Sequence, residues 1–167
     1  MVNIILGLLC LSNIVLLYKI AVANRRICKL SYCPTFGVMV RSQFENSWKY
    51  DANKAIIFFD IDNMKILNST LGYSEVDDRI QRVFSNVRKN ELIARWYSGD
   101  EFVIIAPLKD AMLCAQRIRS LFNEQDISVT GAIVPVFDIP LKDNVKKASD
   151  IVQDLKQLQR GTIFDDR

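Results

Sequence analysis

Histidine is absent from the 167 residues, and that removes whole classes of chemistry. No histidine general base, no histidine partner for a nucleophile and no imidazole zinc ligand is available. Cysteine is scarce. The four are Cys10, Cys28, Cys33 and Cys114, none in a Cys-x-x-Cys pair, a pattern of incidental reduced thiols rather than a disulfide frame or zinc site. The formal net charge is only +3, with Lys and Arg scattered along the chain, which argues against a nucleic-acid partner. No repeat or low-complexity tract occurs. The length suits one ordinary domain and an extra segment.

That extra segment comes first. Residues 1–18 are nearly all apolar, broken by Asn3, Gly7, Ser12 and Asn13, and residues 20–23 continue the run past Lys19. A helix of about 23 residues would reach roughly 35 Å, enough to span a bilayer with Lys19 at the interface. Arg25, Arg26 and Lys29 come directly after it, which places the C-terminal domain in the cytoplasm. The expectation is a single-pass membrane protein: an anchor over 1–24, a linker over 25–33 and a domain over 34–167. A cleaved signal peptide (Ala21-Val22-Ala23) and a buried core helix are the competing readings.

From residue 31 a turn-rich joint leads to a helix through Arg41, Phe44 and Trp48, with Thr35 or a neighbour as its cap. Residues 55–59 form a continuous β-rich apolar run, the mark of a strand buried on both faces. A short helix over 64–71 closes at Gly72. The next helix places Asp77 and Asp78 in its first turn and buries Ile80, Val83, Phe84 and Val87. Residues 93–106 read as a hairpin turning at Ser98-Gly99. A helix near 110–123, a strand over 127–135, a loop over 138–144, a helix over 145–159 with Leu155 and Leu158 inward, and an edge strand at 162–164 complete the order. This is an α/β class chain with a mixed, mainly antiparallel sheet flanked by helices.

Two acidic stretches carry the chemistry: Asp60-Ile61-Asp62 after the apolar strand, and Asp100-Glu101 after the hairpin turn. If the strand lies beside the hairpin, Asp60 and Asp100 meet at one sheet edge. With the Ile61 carbonyl they offer hard oxygen ligands for Mg²⁺ shared with substrate phosphates. Glu101, adjacent to Asp100, faces the other way on a regular strand. Lys65 offers a point charge for a phosphate and Asn68 an amide for a base edge. The alternative is a capped strand end and a polar hairpin tip.

Ser98-Gly99-Asp100-Glu101-Phe102 resembles the signature of GGDEF domains, the diguanylate cyclases. Residues 58–72 resemble the family's second motif in register, and residues 37–44 a worn form of its opening helix motif. The resemblance spans roughly residues 34–164. It implies a palm-like nucleotidyl cyclase fold in which two GTP molecules, one on each subunit of a homodimer, are condensed to cyclic di-GMP. Asp60, Asp100 and the Ile61 carbonyl would hold the metal, Mg²⁺ or alternatively Mn²⁺. Glu101 would assist the metal or the attacking 3′-hydroxyl. Asn68 and Asp77 would read guanine, Lys65 and Lys156 would contact phosphate, and Gly99 would let substrate approach the turn.

The chain departs from the family pattern in several places. Ser98 stands for the first signature glycine, Ser69 for an aspartate, Tyr73 for a histidine, Val76 for a glycine and Val40 for an asparagine. Residues 88–91 only loosely match the product-inhibition motif, so feedback inhibition is not carried over. Two alternatives to the cyclase therefore stand: a catalytically degenerate domain that binds GTP or only dimerises, and a palm-fold enzyme with another cyclic nucleotide product.

Overall fold

The computed structural model describes residues 2–88, 91–97 and 99–167, with side chains left out for 2–12, 25, 28 and 29. Its centre is the strand predicted from the apolar run. That strand, β2 (Lys54–Ile61), lies between β4 (Glu101–Pro107) and β5 (Val129–Pro135), antiparallel to both. The sheet is completed by β3 (Leu92–Arg95) beside β4, β1 (Met39–Val40) parallel to β3, and β6 (Ile163–Asp165) parallel to β5. The order is β1-β3-β4-β2-β5-β6, mixed and mainly antiparallel as expected.

The period-two alternation of β2 divides the core. Ala55, Ile57, Phe59 and Ile61 join one cluster with Ile80, Val83 and Phe84 of α4 (Tyr73–Ser85) and Ala115, Ile118 and Phe122 of α5 (Ala111–Asn123). Ile56 and Phe58 join the other, with Phe44 of α2 (Arg41–Ser47) and Val145, Ala148 and Val152 of α6 (Leu141–Leu158). The short α3 (Met64–Leu71) follows β2 directly and packs on α4. Gly131 permits one close approach: a Cβ there would lie 2.7 Å from the Phe59 ring.

The structure corrects the local expectations in five places. The α2 N-cap is Val40, with no side-chain cap bond, so Thr35 does not serve. Gly72, at φ 84°, ends α3 and opens α4 with no intervening loop, so Glu75 occupies the first turn and Asp77 and Asp78 lie deeper in the helix. The hairpin strands stop at Arg95 and resume at Glu101, so the connection is longer than a two-residue turn. Helix α6 starts at Leu141, inside the expected loop, where the Asn144 side chain bonds the Phe137 backbone and the Ile139 carbonyl. Leu158, the last residue of α6, is 84% exposed and does not face inward.

The N-terminal segment is one helix, α1 (Val2–Leu30). Among the described residues no helix is long and apolar enough to cross a membrane. The spanning anchor expected over 1–24 is not supported by the described residues, and the side chains of 2–12, which carry much of its apolar run, lie outside them. A core helix is not supported either, since Ile14, Leu17 and Tyr18 are 64%, 65% and 71% exposed.

Candidate active site

Strand parity builds the site. After Ile56 and Phe58, the next side chain on the α6 face of β2 is Asp60. Antiparallel register sets Glu101 directly opposite Asp60, and opposed residues share a sheet face. Glu101 is thus Asp60's cross-strand neighbour, contrary to the expectation that it would face away. Asp100 precedes the strand, in the turn, and its carbonyl accepts the Ile61 N–H at 3.0 Å. The Glu101 carboxylate accepts the Tyr97 N–H at 3.2 Å, tying it back across the turn.

Helix α6 then brings in Lys156. Its ammonium pairs with the Asp60 carboxylate, donates to the Ile61 carbonyl at 3.0 Å and lies 3.8 Å from Asp62 Oδ1. Burial pushes the Asp60 carboxyl up to about 6. Lys156 opposes that shift, while the charges of Asp100 and Glu101 add to it.

Asp62, grouped with Asp60 by sequence, does different work. It is 3% exposed and accepts bonds from Ser128 Oγ (2.6 Å), Thr130 Oγ1 (2.7 Å) and the Gly161 N–H (3.1 Å). A buried carboxylate so satisfied is a brace. It fastens the end of β2 to β5 and to the segment after α6, and so positions the helix that carries Lys156.

The remaining candidates lie on the α3–α4 hairpin that leaves β2. Asn63 opens α3 in the left-handed region (φ 53°), and its side-chain oxygen accepts from the Arg160 guanidinium. Lys65 is exposed on α3 and Asp77 half-buried on α4. The buried Asn68 Oδ1 has no hydrogen-bond partner among the described residues. An orphaned buried acceptor is costly unless a ligand donor completes it. Gly99 lies in the hairpin turn, where a Cβ would stand 2.8 Å from Arg95 Nη2. Ser98, the departure from the signature, lies outside the described residues.

The structure therefore gathers Asp60, Ile61, Asp100, Glu101 and Lys156 at one end of the sheet, with Asn68, Asp77 and Lys65 on the adjoining helices. Arg160 was missed; its four-residue spacing from Lys156 is the signal that could have found it. Among the described residues no three His, Cys, Asp or Glu side chains form a closed metal cage. The oxygen donors that meet the Lys156 ammonium, the Asp60 carboxylate and the Ile61 carbonyl, nonetheless fit a hard cation that takes its other ligands from a substrate.

A family model described as diguanylate cyclase, GGDEF domain, matches residues 35–139. The probable diguanylate cyclase DgcC of Escherichia coli K12 is 27% identical over 92 residues, which cover 51% of this chain and 24% of that protein. The chain thus spans about a quarter of the length of that relative. Solved structures agree on the fold. A microbial GGDEF domain studied for its interaction with bis-(3′,5′)-cyclic di-GMP superposes with a TM-score of 0.68 at 19% identity, covering 81% of this chain and 96% of that one. The coiled coil and GGDEF domain of DgcB from Caulobacter crescentus, in complex with c-di-GMP, gives 0.67 at 16% identity, covering 92% and 94%.

Proposed function

The chain belongs to the diguanylate cyclase GGDEF domain family, and from that premise we propose that it condenses two GTP molecules into cyclic di-GMP. The observation that carries this reading is the convergence of the Asp60 carboxylate and Ile61 carbonyl on one cation, with Asp100 and Glu101 beside them. Asp60, the Ile61 carbonyl and Asp100 would hold Mg²⁺, with Mn²⁺ as the alternative. When bound, the ion supplies charge neutralisation at the triphosphate.

The chain's own residues orient the reactants. Asn68 Oδ1, buried and lacking a donor, suits the N–H edge of guanine, and Asp77 on α4 adds a second acceptor. Lys65, Lys156 and Arg160 surround the start of α3 and suit the phosphates. Glu101 would take the proton from a 3′-hydroxyl as its oxygen attacks the α-phosphorus of the second GTP and pyrophosphate leaves. Each subunit holds one GTP, so the reaction needs two copies. The exposed apolar residues of α1, and the likeness to a domain that carries a coiled coil, support a homodimer joined through that helix. A site that consumes GTP works in the cytoplasm.

The test is incubation of the purified chain with GTP and Mg²⁺, with the product identified by mass spectrometry. Cyclic di-GMP is expected. No product from folded protein, or unchanged product from Asp100→Ala, overturns the proposal; better use of ATP overturns the guanine assignment.

A further inference from the structure

Lys156 sits where a metal ion would sit. Its ammonium is held by the Asp60 carboxylate and the Ile61 carbonyl, two of the three donors proposed for the cation, with the Asp62 carboxylate 3.8 Å away. The pair is largely shielded from water: the side chains of Lys156 and Asp60 are 19% and 17% exposed. The backbone around it is braced, since the Gly161 N–H, five residues beyond Lys156, is shared by Asp62 and Thr130, and Arg160 reaches Asn63. The ammonium is therefore delivered to these oxygens by the fold.

The geometry points to Lys156 as a built-in cation that occupies the metal position of the ligand-free protein and must leave it before a divalent ion can bind. An ammonium and a divalent ion cannot share the same two oxygens in a largely water-excluded site, because their repulsion is poorly screened there. The side chain has somewhere to go. It is long, flexible and lies beside Arg160 and the start of α3, where the triphosphate is proposed to lie, so nucleotide phosphate gives the displaced ammonium a new partner. Metal and nucleotide binding are then coupled through one side chain: the ion alone binds weakly, and nucleotide frees its site. Until nucleotide arrives the ammonium also keeps Asp60 paired, avoiding a lone buried carboxylate. This inference rests on the cation site of the proposed function.

The experiment is a titration of the full chain with Mn²⁺ alone, nucleotide absent, read by calorimetry and by the electron paramagnetic resonance signal of the free ion. Lys156→Met, which keeps length and removes charge, is expected to bind Mn²⁺ about 5- to 150-fold more tightly than the wild type. Lys156→Arg, which keeps the charge, is expected to bind no more tightly than the wild type. In a second titration, GTP in excess chelator is expected to bind Lys156→Met more weakly. Lys156→Gln carries the same comparison if Lys156→Met does not fold. Equal or weaker Mn²⁺ binding by the uncharged variants overturns the inference while leaving a GTP-consuming wild type intact. Failure of every form to bind Mn²⁺, with or without GTP, overturns the cation site itself and the inference with it.

Discussion

Two ion pairs, similarly withdrawn from water, lie at opposite ends of the sheet. At one end Arg117 of α5 pairs with Glu91, just before β3, with side chains 26% and 9% exposed. Glu91 also accepts the Arg88 N–H at 3.2 Å and the Cys114 thiol at 3.5 Å. At the other end Lys156 of α6 pairs with Asp60, at 19% and 17%. Burial does not separate them; the groups nearest each carboxylate do. One guanidinium faces one carboxylate at Glu91. One ammonium faces Asp60 and Asp62, with Asp100 and Glu101 acting on Asp60 besides. At Glu91 the close neighbours are donors that fix structure, whereas carboxylates drawn near a buried Asp60 mark a candidate functional site.

The contrast breaks most sharply at Asp100. Asp100→Ala lies in a half-exposed turn and is expected to reduce cyclic di-GMP formation about 100-fold or more, with little change in thermal unfolding. If the variant unfolds instead of losing turnover, the acidic end is structural after all. Arg117→Met inverts the pattern. It leaves Glu91 buried without its partner and is expected to cost about 2–3 kcal/mol in urea unfolding, while product per folded molecule stays the same.

Gly131→Ala tests packing beside the acidic end. Its new Cβ meets the Phe59 ring at 2.7 Å, and a stability loss of about 1–3 kcal/mol is expected from overpacking, read in the same assay. Asn68→Ala removes the orphaned acceptor and is expected to weaken GTP binding about tenfold by calorimetry, with no loss of stability.

The smallest effect separates two thiols that are almost equally hidden. Burial pushes Cys114 up to about 11, and Glu91 adds to it. At Cys33 burial acts the same way, but bonds to the Phe36 and Thr35 backbone and to the Arg95 guanidinium outweigh it and hold the thiol below its usual range. Iodoacetamide labelling with peptide mass mapping is expected to modify Cys33 before Cys114. The Cys33 rate should climb at lower pH than that of an ordinary thiol, while Cys114 stays slow until the pH nears 11.

Much of the fold was legible in the chain because it is written locally. The unbroken apolar run 55–59 is long enough to declare a doubly covered strand, and Gly72 marks a helix end. Spacing along helices identified Ile80, Val83 and Phe84 as core. Asp60 and Asp100 stood out because carboxylates at strand ends are few. The caps and boundaries were less legible. Thr35, Asp77 and Asp78 have the right chemistry for helix starts, yet Gly72 joins α3 to α4 without a loop and moves the start to Tyr73.

The sequence by itself determined most of the elements, their order, the family signature and the exclusion of histidine chemistry, since each depends on residues near one another in the chain; the short strand β1 was not among them. Only the tertiary structure decided who faces whom. Whether Glu101 shares a face with Asp60 depends on antiparallel register, in which a slip of one residue reverses every side chain. The partner of Asp60 lies 96 residues away on α6, and no periodicity carries that distance. The split between Asp60, which meets the cation, and Asp62, locked to Ser128, Thr130 and Gly161, also exists only once β5 and the end of α6 close around them. The membrane-spanning reading of α1 rested on the apolar run and the basic residues after it, and among the described residues no helix is long and apolar enough to support it.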